Sequence, residues 1–109
     1  MAWAPEAGDV VWLEFSPQAG HEQAGRRPAV VLSPSAYNRL TGLMLCCPLT
    51  TRVKGYPFEV PIADTRGSVA LADQVKSLDW QARNAERKGR VSGAELVEIR
   101  GKATALIRG

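Results

Sequence analysis

Four short apolar runs, GDVVWLEF (8–15), AVVLS (29–33), LMLCCPLT (43–50) and FEVPI (58–62), are separated by stretches rich in glycine, proline and polar residues. Runs of this length, bounded by turn signals, predict strands rather than helices, the first over 10–15. Pro61 marks the fourth run as an edge strand, because proline has no amide to give to a central ladder. SVALADQVKSLD (68–79) alternates apolar and polar residues over part of its length and predicts strands broken near Asp73. Helical signals appear in two places only. SAYNRLTG after Pro34 predicts one or two turns stopped at Gly42; near the C-terminus, Ser92 and Glu95 form a capping box ahead of a stripe of Leu96, Ile99, Ala103, Leu106 and Ile107. The pattern describes a mainly β, α+β domain: a curved antiparallel sheet or partial barrel packed by a terminal helix.

The 109 residues carry no internal repeat and no linker, so residues 1–109 read as a single domain, able to bury roughly 65% of its unfolded surface. No run of 18 apolar residues exists, and the opening MAWAPEAGD lacks the basic and apolar regions of a signal peptide. A cytoplasmic protein without membrane association is expected. Cys46 and Cys47 are adjacent, so on a strand they point to opposite faces and are poorly placed to bond one another. They read as reduced core residues, and with a single histidine in the chain they make no zinc site. No metal and no cofactor is expected.

Net charge is only +3, but it is unevenly distributed. Residues 1–25 hold four acids and no Lys or Arg, leaving fourteen basic residues against seven acids in 26–109. Arg83, Arg87, Lys88 and Arg90 cluster in QARNAERKGRV (81–91), a footprint suited to a polyanion or an acidic peptide and equally to a plain solvated face. The stretch SPQAGHEQAGRRP (16–28) has no apolar period and reads as a long loop. It gathers the one histidine, a glutamate and two arginines, and loops of that length in small domains tend to be working loops.

Taken together, GDVVWLEFSP, HEQAGRRPAVVLSP, YNRLTG, CPLTTRVKGYPFEV and VALADQVKSLDW resemble the MazF/PemK family of toxin endoribonucleases. The resemblance covers nearly the whole chain in one order. It implies an SH3-like barrel of the plasmid-maintenance toxin type with a C-terminal helix, a homodimer, and metal-independent cleavage of single-stranded RNA, including mRNA. It also implies a MazE-like antitoxin with an acidic tail, operator DNA being met only through the antitoxin complex. Metal-free cleavage uses the substrate's own 2′-hydroxyl as nucleophile and leaves a 2′,3′-cyclic phosphate and a 5′-hydroxyl. The protein must then supply a base, donors for the phosphoryl oxygens and an acid.

By the resemblance, Arg27 in the RP motif is the transition-state clamp, since a guanidinium holds two phosphoryl oxygens and stays charged. Thr50 in CPLTT matches the family's catalytic threonine. His21 and Glu22 are the proton-handling candidates, their ordinary pKa values lying near ~6.5 and ~4.3. The GHEQ form resembles the PemK/Kid branch, where the histidine assists. Asp73 aligns with an aspartate that branch uses as a base, paired with an arginine two positions earlier; here that position is Leu71, which favours a groove or structural carboxylate. Gln23, Arg26, Lys54, Tyr56, Asp73, Lys76 and Arg83 are expected to contact RNA, where cations meet the backbone and flat side chains meet bases. Trp12, Phe15 and Phe58 are expected in the core. Two other classes share the architecture: a gyrase-poison-like toxin that acts on a protein, and a non-catalytic SH3-like binding module. Neither explains the HEQAGRRP and CPLTT blocks together.

Overall fold

A computed structural model of the chain describes residues 3–15, 25–65 and 67–109. Seven strands and two helices follow in the order β1 (Asp9–Phe15), β2 (Gly25–Val31), α1 (Ser35–Thr41), β3 (Leu43–Thr50), β4 (Glu59–Pro61), β5 (Val69–Leu71), β6 (Lys76–Asp79), β7 (Glu86–Arg90) and α2 (Gly93–Arg108), with a 3-10 turn at Ala63–Thr65. All pairings are antiparallel, in the order β4-β5-β3-β2-β1-β7, and β6 also pairs with β3.

β3 is the spine. One edge pairs with β2; the other pairs with β6 over Leu43–Cys46 and with β5 at Leu49 and Thr50. Pro48, which has no amide to donate, falls where that second edge passes from one partner to the other. The change of partner bends the sheet into the barrel-like shape anticipated from the pattern of short strands.

The sheet is buried on both faces, and the alternation of each strand sorts its residues between two cores. Val10, Val30, Cys47, Leu49 and Val60 face one core, which α2 closes with Ile99 and Leu96. Val11, Leu13, Val31, Met44 and Cys46 face the other, closed by Ala4 and Trp80. Cys46 and Cys47 are thus free, buried and in different cores, as their adjacency on a strand requires. Trp80 donates through Nε1 to the carbonyl of Asn38, a fully buried side chain that in turn bonds Ser33 and the Pro5 carbonyl. Trp3 lies edge-on to Trp80, with ring centroids 5.9 Å apart.

Both helices end as the sequence predicts. Gly42 takes the left-handed conformation, φ +74°, that stops α1, and Ser92 with Glu95 forms the full reciprocal capping box of α2. The helical stripe of α2 is only partly used, however: Ile99 and Ala103 are buried, whereas Leu106 and Ile107 are 55% and 80% exposed because the last turn runs past the sheet. Two further expectations are corrected. The second strand begins at Gly25 rather than at residue 29, because the mainly polar GRRP is recruited as a partner for the end of β1. The basic stretch ERKGR, which carries no apolar residue to signal a strand, pairs with β1 as β7.

Candidate active site

β1 and β2 run on beyond the first core, and there the face that holds Val10 and Val30 opens into a cleft of about 940 Å³. Its walls are Val10 and Trp12 of β1, Gly25–Pro28 of β2, Leu49–Arg52 at the end of β3, Asp64 and Thr65 of the 3-10 turn, Ser68, and Lys88–Arg90 of β7. A bulge shapes one wall. Gly89 pairs with Val10 and Arg87 with Val11, which leaves Lys88 as the extra residue outside the ladder and beside the cleft.

Among the described residues five cations line the cleft, Arg26, Arg27, Arg52, Lys88 and Arg90, against the single acid Asp64. Three of the five are engaged. Arg26 donates to the carbonyls of Trp12 and Asn84, both at 3.1 Å, and to Glu14 and Glu86 at 3.5 and 3.3 Å. Arg90 binds the buried carboxylate of Asp9 at 2.6 Å and Glu6 at 3.0 Å, and Lys88 pairs with Glu86 at 3.5 Å. Asp9, 1% exposed, also takes Arg87 at 3.2 Å, so a buried charge is matched by two guanidinium groups from one strand. Arg27 and Arg52 have no such hold: both are exposed and neither side chain bonds another described residue. Two uncommitted guanidinium groups in a cation-rich cleft fit an anion with several oxygens.

Thr50 stands at the last residue of β3, half-buried on the same cleft. Its Oγ1 accepts the amide of Arg52 at 3.1 Å, which fixes the hydroxyl and leaves its proton to donate elsewhere. The wall formed by Asp64 and Thr65 is tethered to α2 through Glu95, whose Oε2 accepts the amide of Ala63 at 2.9 Å. That bond and those from Ser92 hold the Glu95 carboxyl below its usual value. The two thiols are no part of this chemistry. Burial pushes each up to about 12, which keeps them protonated and poor nucleophiles.

Of the residues singled out in the sequence, Arg26, Arg27 and Thr50 meet in the cleft. His21, Glu22 and Gln23 lie outside the described residues. Lys54 and Tyr56 are exposed on the segment that leaves the cleft wall after Arg52, and Tyr56 packs against Phe58 at 5.3 Å between ring centroids. Asp73 and Lys76 are exposed on the turn after β5 and at the start of β6, and Arg83, on the turn before β7, donates to the carbonyl of Glu14; none of the three lines the cleft. Trp12, expected in the core, is 36% exposed and lines the cleft, because the face it shares with Val10 is open there. The sequence reading missed Arg52, whose only signal is its place two residues beyond Thr50, and did not single out Asp64. Lys88 was legible only as part of a basic cluster suited equally to a polyanion, an acidic peptide or a solvated face, and β7, which brings it to the cleft, carried no strand signal. Among the described residues no three His, Cys, Asp or Glu side chains form a metal-binding group, and no helix is long and apolar enough to cross a membrane.

A cationic cleft at the mouth of a small barrel is one architecture with many uses, and comparison with known proteins narrows it. The chain is 55% identical over 106 residues to the endoribonuclease toxin MazF of Escherichia coli K12, covering 96% of each protein. It is 31% identical over 108 residues to endoribonuclease PemK of Escherichia coli, covering 94% of this chain and 81% of that one. A crystal structure of MazE-MazF from Deinococcus radiodurans superposes with a TM-score of 0.90 at 54% identity, over 98% of each chain. The family model of PemK-like, MazF-like toxins matches residues 6–107, from the turn before β1 to the last turn of α2. Every wall of the cleft falls inside that match, and the chain belongs to the PemK-like, MazF-like toxins of type II toxin-antitoxin systems.

Proposed function

We infer that this chain is a MazF-type endoribonuclease toxin that cuts single-stranded RNA in the cleft between β1, β2, β3 and β7, without a metal. The observation that carries the reading is the pairing of an Arg27 guanidinium, bonded to no other described residue, with the fixed hydroxyl of Thr50 in one cationic cleft. The scissile phosphate sits between them. Arg27 takes two phosphoryl oxygens, and Thr50, oriented by the Arg52 amide it accepts, donates a hydrogen bond to the phosphate. Both stabilise charge that grows as the 2′-oxygen attacks phosphorus. Arg52 adds a second charge at the same wall. Glu22 serves as base for the 2′-hydroxyl, and His21 assists at the departing 5′-oxygen; both belong to the stretch between β1 and β2. Bond making and breaking balance within the substrate, giving a 2′,3′-cyclic phosphate and a 5′-hydroxyl. Gln23, Arg26, Lys54, Tyr56, Asp73, Lys76 and Arg83 are proposed to border the RNA path, Arg26 through the wall it holds.

Cutting mRNA in the cytoplasm would stop translation, and a MazE-like antitoxin would prevent it by occupying the same cationic cleft with acidic side chains. We expect a homodimer, since the last turn of α2 leaves Leu106 and Ile107 uncovered. The test is a long single-stranded RNA incubated with the purified protein in EDTA beside the Arg27→Ala variant. The expected result is cuts at a recurring short motif with 5′-hydroxyl ends, lost in the variant and absent when the residue 5′ to the cut is a deoxynucleotide. Intact RNA with a folded protein would overturn the reading and point to a protein target or a binding module.

A further inference from the structure

One buried acid has no task in this chemistry. Glu59, the first residue of β4, is 7% exposed, and its carboxylate reaches back along the chain. Oε2 accepts the amide of Lys54 at 3.1 Å and Oε1 that of Gly55 at 2.9 Å. Its own amide donates to the carbonyl of Tyr56 at 3.1 Å, and its carbonyl takes the ammonium of Lys102 from α2, also at 3.1 Å. One residue therefore ties the segment 54–58 to itself and anchors it to the terminal helix. An ionised carboxylate only accepts, and its two oxygens match two successive amides; such charge-assisted bonds are roughly twice as strong as neutral ones.

The segment so held has little else to shape it. Residues 51–57 are exposed, and among the described residues Glu59 is the only side chain that bonds the backbone of 53–58. Yet the segment starts at Arg52 on the cleft wall and carries Lys54 and the Tyr56 and Phe58 rings, which pack 5.3 Å apart at a 35° tilt. Exposed aromatic faces and cations leading away from a cationic cleft are what a single strand needs beyond the bond being cut. We propose that Glu59 is the positioning residue of this segment, holding Lys54 and the Tyr56–Phe58 pair as a track for the RNA nucleotides next to the scissile phosphate. The inference rests on the ribonuclease reading above.

Glu59→Gln is the sharp variant, because glutamine offers one oxygen and an NH2 that cannot accept, so one of the two amides loses its partner. Amide hydrogen exchange at Lys54 and Gly55 should rise at least about tenfold in it, with the strands unchanged. KM for a short RNA substrate should rise about tenfold with kcat within about twofold, because stacking and backbone contacts away from the reacting atoms act on binding. Gly55→Ala is the second variant and guards against a Glu59 variant that does not fold. Gly55 sits at φ +80° and an added Cβ would meet nothing within 4 Å, so the change strains only the turn. It should reproduce the same rise in KM. Unchanged exchange at Lys54 and Gly55, or an unchanged KM in a variant whose amides are exposed, would overturn the assignment. So would a fall in kcat at constant KM. An inert wild-type protein would overturn the ribonuclease reading and this inference together, whereas an active wild type with an unaltered Glu59→Gln KM overturns this inference alone.

Discussion

Arg26 and Arg27 are neighbours on β2 and are used in opposite ways: the guanidinium of Arg26 is bonded to Trp12, Asn84, Glu14 and Glu86, and that of Arg27 to no described residue. Arg26 ties β1, β2 and the turn before β7 together, so its loss falls on stability. Arg27 holds no other described residue, so its loss falls on chemistry. Arg27→Ala should cut cleavage by about a hundredfold or more, the usual effect of removing one transition-state donor, with the melting temperature held within about 2 °C. Arg26→Ala should cost about 1 to 2 kcal/mol, the backbone bonds contributing most because its ion pairs are half exposed. Equal loss of stability in both would contradict this division, and calorimetry beside an RNA cleavage assay decides it.

Thr50 presents a hydroxyl oriented by the Arg52 amide it accepts, with its O–H still free to donate. Thr50→Ser keeps that bond and the free proton and should retain most activity. Thr50→Val keeps the shape and loses both, and should lower kcat at least about tenfold with little change in KM, because the donor acts on charge that develops during reaction. If the valine variant raised KM and spared kcat, Thr50 would be a ground-state contact instead. Measuring both constants on one short substrate separates the two.

How much of this could be read from the chain depends on what each residue had to signal with. The apolar strands, the Gly42 stop and the Ser92–Glu95 box were legible because period and capping are local properties. β7 was not, since ERKGR owes its strand conformation to pairing with β1 and to a bulge rather than to its own side chains. Trp12 was misplaced for a related reason. Alternation assigned it to a face, and only the tertiary fold shows that this face is core at Val10 and an open cleft two residues later. Arg27 and Thr50 came from family resemblance, and nothing local marks either as part of a site. Glu59 carries no local signal, since its contacts with Lys54 and Gly55 depend on the turn between them.

The thiols give a prediction independent of RNA. Both titrate near 12 in the fold, raised from 9.0 chiefly by burial, Cys46 against Lys76 and Arg83, which oppose the shift, and Cys47 with Cys46 and Asp73, which add to it. A thiol whose folded value is raised stays neutral in the fold while the unfolded chain ionises. Its contribution to stability is whole below about 9 and is lost as pH rises from there toward 12. Native protein at pH 8 should therefore leave both cysteines unmodified by a thiol reagent over hours, with both reacting promptly in urea. Rapid labelling of either one in folded protein would show that its core opens far more readily than the packing implies.

Glu95 carries the opposite sign. Its carboxylate closes the capping box of α2 and, through the Ala63 amide, holds the turn that brings Asp64 and Thr65 to the cleft. Its folded value lies below the ordinary 4.5, first because of the Ala63 bond and then those from Ser92, so the stability it adds is present above that value and fades as pH falls through the folded one. Glu95→Gln keeps one acceptor oxygen and loses the charge, so one of the two tethers goes. Unfolding free energies of wild type and variant from urea titrations should differ at pH 6 to 7 by about 1 kcal/mol or less, solvent screening included, and the gap should narrow below the ordinary value of 4.5. Other carboxylates titrate over the same range, but the difference between the two proteins cancels them. A gap that stayed constant down to pH 3 would mean that the glutamine fails for reasons of shape and that the charge at Glu95 contributes nothing. A gap that closes would establish that the acid joining α2 to the cleft wall works as an anion.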